Sequence, residues 1–162
     1  MCVVSRRRVM TPLRWSDMDA YGHVNNVQFL RLLEDARVVL FAAEGSDEGG
    51  SVVSTGLIVA RQQIEYLVPL VYRPAPVAID MWLSSMSAAS FDLGHEVLDD
   101  AATEAGLEAG SGRPTVYARA EVTLVPYDLE RHRPRRLTES ERTSLEAWRD
   151  TPITWRHRPS ET

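Results

Sequence analysis

The chain has 162 residues, with 18 Lys+Arg against 23 Asp+Glu and a formal net charge of -5, and that length suits one domain. Hydrophobic content of 44% and charged content of 25% are those of a globular chain, and the acid excess argues against a general basic field for nucleic acid. All 18 basic residues are Arg, which excludes the lysine of a phosphate-binding loop, a kinase site, a Schiff base or a Ser-Lys dyad, and the lone Cys2 excludes an intrachain disulfide or a cysteine zinc cluster.

No apolar run approaches the ~18–20 residues of a membrane helix. The basic start, Arg6 to Arg8, is followed by no long apolar segment, so it does not read as a secretory signal. A cytoplasmic protein with neither membrane nor nucleic acid as partner is the expectation. The first extended segment runs from Val9 to Trp15, with Val9, Leu13 and Trp15 alternating and Pro12 marking an edge. A loop over 16–25 leads to the longest helical signal, capped by Asn25 with Gln28 as the partner in a variant capping box. To about Ala43 the positions Phe29, Leu32, Leu33, Ala36, Val39, Leu40 and Ala43 follow helical spacing. Leu30, Val38 and Phe41 widen the stripe, and Arg31, Glu34, Asp35 and Arg37 form the polar remainder. A helix this apolar needs something wrapped around it. Gly45 and Gly49-Gly50 stop it.

Beyond Ser51 the period changes to two. Strands are expected at Ile58 to Leu67, Val77 to Leu83, Phe91 to Val97 and Val116 to Leu124, with no helix between them long enough for a parallel crossover. Asp99 to Arg113 reads as a hairpin loop, with a short Ala-rich helix as the competing assignment. Thr138 and Glu141 form a capping box that opens a short helix through Trp148. Residues 1–150 thus read as a single α+β domain, and residues 151–162 as a polar tail to which the pattern assigns no element.

Chemistry concentrates in Asp17-Met18-Asp19-Ala20-Tyr21-Gly22-His23-Val24-Asn25-Asn26, immediately before the most apolar helix. Unpaired amides at a helix start suit a carbonyl oxygen gaining negative charge. A carboxylate beside them can serve as general base on water or attack the carbonyl itself. Gly22 removes a side chain where another molecule might approach closely. On spacing alone, the same residues also read as turn formers, with Asn25 as a plain cap.

That segment, followed by Phe29 and Glu34-Asp35-Ala36-Arg37, resembles the signature of hotdog-fold acyl-CoA thioesterases, the 4-hydroxybenzoyl-CoA thioesterase-like family in particular. Plant acyl-carrier-protein thioesterases carry a similar Asp…His-Val-Asn-Asn run. Ile64-Glu65-Tyr66-Leu67-Val68-Pro69-Leu70, then Val77 to Leu83, then Ser90-Phe91 fits the same strand order. The resemblance covers roughly Arg8 to Tyr127. It implies a curved antiparallel sheet wrapped around one long helix, assembled as homodimers or homotetramers, with active sites at the dimer interface and the pantetheine arm running between subunits. It further implies hydrolysis of an acyl-CoA or acyl-carrier thioester to acid and thiol, with no cofactor apart from the CoA of the substrate. Asp19 matches the catalytic carboxylate, and His23 matches a His that is catalytic in the plant-type enzymes. Val24, Asn25 and Asn26 match the helix-start amides. The plant-type catalytic Asn, two residues after the Asp, is Tyr21 here, so the Asp-centred mechanism transfers and the plant-type triad does not.

Other residues carry readings of their own. Asp17 braces the loop. Glu34 is the second choice for a catalytic carboxylate, against a structural role salt-bridged to Arg31 and Arg37. His95 lies in an apolar strand row, as a packed or interface histidine. Trp82, Trp15, Phe91 and Tyr66 are either acyl-pocket lining or plain core. No metal-ligand spacing emerges, so no metal is expected. Arg133, Arg135 and Arg136, with Arg131, offer guanidinium groups that fit CoA phosphates, against a solvated tail. Two rival functions stay open: a non-catalytic acyl-CoA-binding module, and a hotdog dehydratase or hydratase.

Overall fold

The computed structural model describes residues 6–44, 56–99 and 114–156. In chain order these form β1 (Arg7–Thr11), a 3-10 turn (Trp15–Asp17), α1 (Asn26–Glu44), β2 (Leu57–Tyr66), β3 (Val77–Met86), β4 (Phe91–Leu98), β5 (Val116–Asp128), β6 (Arg133–Pro134) and α2 (Glu139–Glu146). All the strand pairings are antiparallel, in the order β1-β3-β4-β5-β2, with the short β6 on the end of β5. The expected arrangement of one long helix against a curved sheet is the one that forms. Cys2, the glycines at 45, 49 and 50, and the hairpin expected up to Arg113 lie outside the described residues, apart from Asp99. Among the described residues no helix is long and apolar enough to cross a membrane.

The first strand stops at Thr11 rather than Trp15. Pro12 has no N–H to continue the ladder, and Trp15 instead enters the 3-10 turn with its ring exposed. Helix α1 occupies the span its spacing predicts. Its cap is Asn25, whose Oδ1 accepts the Val27 N–H at 3.0 Å. Gln28 does not close the capping box: its Oε1 accepts the Arg31 Nε–H at 3.0 Å, and the Asn25 N–H donates to the Asp17 carbonyl at 2.9 Å.

Phe29, Leu32, Leu33, Ala36, Leu40 and Phe41 bury one side of α1 against the sheet row of Ile79, Met81, Leu93 and Val122. Arg37, expected on the polar side, is only 6% exposed, whereas Val27, Val38 and Val39 face outward. The sheet of one chain covers one side of the helix, so the apolar stripe is wider than the layer that meets it.

Strand β3 is buried on both faces up to Ser84. Val77, Ile79, Met81 and Leu83 enter the core, as their alternation predicts. Trp82 points to the outer face, not to any acyl pocket. There the Arg6 guanidinium lies 3.9 Å above its ring, its Nε1–H donates to the Thr151 carbonyl at 2.9 Å, and a Cβ at Gly94 would stand 2.5 Å from the indole. Past the end of β1, the edge of β3 is taken over by the C-terminal chain: the Leu83 N–H donates to the Trp148 carbonyl at 2.9 Å, and the Asp150 N–H to the Leu83 carbonyl at 3.1 Å. The capping box of α2 forms as expected, with Thr138 and Glu141 bonding reciprocally at 2.8 and 3.2 Å. The helix ends at Glu146, two residues before Trp148, whose ring stacks on Phe41 with centroids 5.8 Å apart.

Strand β2 is the opposite edge. A bulge between Val59 and Arg61 interrupts its alternation, and Ile58, Val59 and Tyr66 are exposed. Its outer rim has no partner strand among the described residues.

His95 is packed in the core of β4, fully buried, with Nδ1 3.0 Å from the Leu93 carbonyl oxygen. Burial first, and the nearby charge of Arg37 second, push its pKa down to about 3. The unfolded imidazole binds a proton near pH 6.5. The folded state therefore loses stability as pH falls from about 6.5 towards 3, at ~1.4 kcal/mol per pH unit for this one group. Urea unfolding from pH 6 to pH 4 should show a slope steeper by that amount in the wild type than in His95→Leu. Equal slopes would mean that the ring takes up its proton in the folded state.

Candidate functional site

The segment before α1 is shaped by Asp17. Its carboxylate is 1% exposed. It accepts the Arg31 Nη2–H at 2.8 Å, the Arg14 Nε–H at 3.2 Å and the Arg14 backbone N–H at 2.8 Å. Its backbone carbonyl takes the Asn25 N–H at 2.9 Å. This is the bracing role that the sequence suggests, and it ties the 3-10 turn to the first two turns of α1.

Between the bridged residues Met18 and Val24 the chain makes a tight reversal. The Gly22 N–H donates to the Asp19 carbonyl at 3.2 Å, and the Asp19 N–H to the His23 carbonyl at 2.9 Å. Gly22 sits at φ +78 with nothing within 4 Å of a Cβ position, so the turn conformation requires the glycine here, not a close neighbour. Asp19 Oδ1 accepts the Tyr21 N–H at 2.8 Å, an Asx turn. Its second oxygen, Oδ2, has no partner among the described residues.

Asp19 lines a cleft of about 320 Å³ together with Val24, Asn26, Phe29 and the run from Tyr66 to Leu70. The run forms the facing wall because Pro69 ends the strand pattern and Tyr117 holds it. The Leu67 and Val68 N–H groups both donate to the Tyr117 carbonyl, at 2.8 and 3.2 Å. The Tyr117 hydroxyl donates to Asp99 at 2.8 Å and accepts from Arg73 at 3.2 Å, and Arg73 also pairs with the buried Asp99. The lining is apolar apart from Asp19, the Asn26 amide groups and the Tyr66 hydroxyl.

The three helix-start amides are not equivalent. The Val24 N–H donates to the Leu70 carbonyl at 2.7 Å and the Asn25 N–H to Asp17, so neither is available as an oxyanion donor. The Asn26 N–H is the one of the three without an acceptor among the described residues. The reason is tertiary: the wall and the Asp17 turn each take one amide to satisfy their own carbonyls.

The other sequence-selected residues lie elsewhere. The exposed His23 imidazole is not part of the cleft lining, and its backbone carbonyl, not its ring, meets Asp19. Glu34 is exposed eight residues along α1, about 12 Å from Asn26 by helical rise. The structure does not bring it to Asp19, and Arg31 pairs with Asp17 and Asp35 instead of with Glu34. Arg135 is diverted from any phosphate role by a fork onto Glu141 at 2.8 and 2.6 Å. Burial alone would raise the Glu141 carboxyl, and this fork with the Thr138 amide holds it below its ordinary value. Arg133 and Arg136 stay exposed. They lie by the Leu57 end of β2, where Tyr127 meets Gly56, about 30 Å of strand from the cleft at its Tyr66 end. Of the four aromatics, Tyr66 alone lines the cleft. Among the described residues no three His, Cys, Asp or Glu side chains gather as a metal site. What the sequence reading missed is the wall from Leu67 to Leu70. Its signal is Pro69, three residues past the end of β2.

Residues 13–148 match the family model of the thioesterase-like superfamily. A candidate thioesterase from Pseudomonas aeruginosa is 29% identical, with TM-score 0.66 over 85% of this chain and 96% of its own. A thioesterase from Thermus thermophilus, solved with coenzyme A and zinc, is 27% identical with TM-score 0.66 over 94% and 100%. A candidate acyl-CoA thioesterase from Xanthomonas campestris is 28% identical with TM-score 0.58 over 76% and 93%. No curated protein matches the sequence significantly.

The Asp17 brace makes a stability prediction. Asp17→Asn leaves Arg31 without its buried counter-charge, at a cost of about 2 kcal/mol once the partial exposure of Arg31 is allowed for. Arg31→Gln should cost a similar amount, and the double variant clearly less than the sum of the two, as chemical unfolding would show. Fully additive costs would mean that the two groups do not act on each other.

Proposed function

The chain belongs to the thioesterase-like superfamily, and on that premise we propose that it hydrolyses an acyl thioester to free acid and thiol, with Asp19 as base or nucleophile. The observation that carries this reading is the Asp19 carboxylate itself. One oxygen is held by the Tyr21 amide, the other has no partner among the described residues, and the group stands in an apolar cleft against the start of a 19-residue helix. Low polarity around the cleft strengthens the attraction between a developing oxyanion and the Asn26 N–H.

In this reading the thioester carbonyl oxygen points at the Asn26 amide. Asp19 either takes a proton from an attacking water or attacks the carbonyl carbon, forming a mixed anhydride that water then opens. In both routes the C–S bond breaks, the sulfur leaves as thiolate and acquires a proton, and the acyl group departs as the acid. His23, exposed beside the turn with its ring outside the cleft lining, would orient the substrate rather than the Asp19 side chain. The coenzyme A held by the Thermus relative supports an acyl-CoA as the substrate class.

We further propose a homodimer in which β2 pairs with its own copy. The bare rim of β2 and the outward Val27, Val38, Ile58 and Val59 supply an edge and an apolar surface for it. Antiparallel pairing about the middle of β2 sets the Leu57 end of one subunit beside the Tyr66 end of the other. The partner's Arg133 and the partner's Arg136 would then stand near the cleft that their own chain holds about 30 Å away. CoA phosphates would be met in trans.

Asp19→Asn keeps size and shape while removing the charge. Thiol release from a panel of acyl-CoAs should show kcat lower by at least about 10²-fold, with KM changed far less. Glu34→Gln should remain active. Wild-type rates in Asp19→Asn with an inactive Glu34→Gln would transfer the chemistry to the helix acid. For the assembly, light scattering at micromolar concentration should give about twice the 18.2 kDa of one chain. The double change Arg133→Gln and Arg136→Gln should raise KM for acyl-CoA while leaving an acyl-pantetheine thioester unaffected. An unchanged KM would leave these residues as solvated surface.

A further inference from the structure

An oxyanion is usually held by more than one donor, and of the first amides at the start of α1 the Asn26 N–H is the one without an acceptor among the described residues. The Val24 and Asn25 amides donate to Leu70 and Asp17, and the Val27 amide is capped by Asn25 Oδ1. Across the cleft, the wall's Leu67 and Val68 amides are held by Tyr117 and Pro69 has no N–H, which leaves the Leu70 N–H as the one wall amide without an acceptor among the described residues. Two side chains of the lining carry donors: Tyr66 and Asn26.

Tyr66 is the better placed. Its backbone is the last residue of β2, paired with Ala118, and its ring meets Phe29 edge-on at 5.4 Å, so the phenol is carried on a rigid strand end. Its hydroxyl donates to the Asn26 carbonyl at 3.0 Å. That carbonyl opens α1 and is also the helical acceptor of the Leu30 N–H. The hydroxyl therefore bonds to a carbonyl that keeps a partner when the hydroxyl turns away. A phenolic O–H rotates about its C–O bond without moving the ring. The Asn26 N–H thus has no acceptor among the described residues, and the Asn26 carbonyl carries the redirectable Tyr66 O–H.

We propose that the Tyr66 hydroxyl and the Asn26 N–H together hold the thioester carbonyl oxygen as it becomes an oxyanion, which makes Tyr66 a catalytic residue; this rests on the hydrolase reading above. The nucleophilic oxygen bonds to the carbonyl carbon, the carbonyl π pair moves to oxygen, and both donors hydrogen-bond that oxygen without giving up their protons. Collapse restores the C=O and expels the thiolate. Tyr66 stays partly exposed, and the partial burial of its phenol raises its pKa from the ordinary value, so it is a protonated donor at neutral pH.

Tyr66→Phe deletes the hydroxyl and keeps the ring against Phe29. In a thiol-release assay kcat should fall by about 10²-fold, and KM should stay within about threefold. Asn26→Ala, which keeps the backbone N–H, should lose less. The second readout needs no turnover: a ketone analogue of acyl-CoA, with CH₂ between the sulfur and a ¹³C-labelled carbonyl. Bound to wild type, its carbonyl resonance should lie downfield of its position in water, and Tyr66→Phe should move it back. Wild-type kcat and an unmoved resonance in Tyr66→Phe would overturn the proposal while leaving the hydrolase reading intact. A rise in KM alone would also overturn it, as would a larger loss in Asn26→Ala. If the wild type releases no thiol from any acyl-CoA, the hydrolase reading fails and the resonance decides. A downfield shift that depends on Tyr66 keeps the contact, and one that does not removes it.

Discussion

A single carboxylate, closed off from solvent between Arg14 and Arg31, determines where the cleft can be. Asp17 binds the 3-10 turn to the helix by charge and, through its backbone carbonyl, to Asn25 by a hydrogen bond. Because both links are buried or nearly so, they are strong enough to make the entry into α1 one rigid unit. The next turn, with Asp19 at its head, is short and closed by its own hydrogen bonds, so its position follows from that of Asp17. One acid is structural because both its oxygens are engaged. The other, Asp19, has one oxygen engaged by the Tyr21 N–H and one without a partner among the described residues, which is why the proposed chemistry falls to it.

The same logic applies to the amides. A helix start presents several unpaired N–H groups, and the fold does not leave them all to a ligand. The wall from Leu67 to Leu70 is irregular backbone, and it satisfies its Leu70 carbonyl with the Val24 N–H. What results is a narrower site, with one directed amide instead of three. The cost of a buried, unsatisfied carbonyl, about 1–3 kcal/mol, explains why the wall takes that hydrogen bond.

At the two sheet edges the molecule behaves differently. The β3 edge is completed within the chain, by β1 and then by Trp148 to Asp150. The outer face over Trp82 is crossed by the segment that starts at Thr151 and reaches Glu65 through the Arg156 N–H at 3.0 Å. The outer rim of β2 has no partner strand among the described residues, and the strand carries exposed apolar side chains beside the outward valines of α1. That combination of a strand edge and apolar surface is what the proposed dimer rests on.

By itself the sequence determined whatever depends on neighbours a few residues apart. The span of α1, the alternating rows of β3 to β5, the Asn25 cap, the Thr138–Glu141 capping box and the turn that presents Asp19 all follow from local spacing and local hydrogen bonding. Only the tertiary structure decided which polar groups remain available, since each is claimed or spared by a partner far along the chain. Leu70 takes the Val24 amide, Arg31 turns to Asp17 and Asp35 instead of to Glu34, and Trp82 goes to the outer face because Gly94 and the Thr151 carbonyl receive it there. Arg37 is buried although its helical position reads as polar. Hydrogen bonds and ion pairs saturate. A donor committed to one distant acceptor is lost to another, and no periodicity along the chain records which acceptor that is.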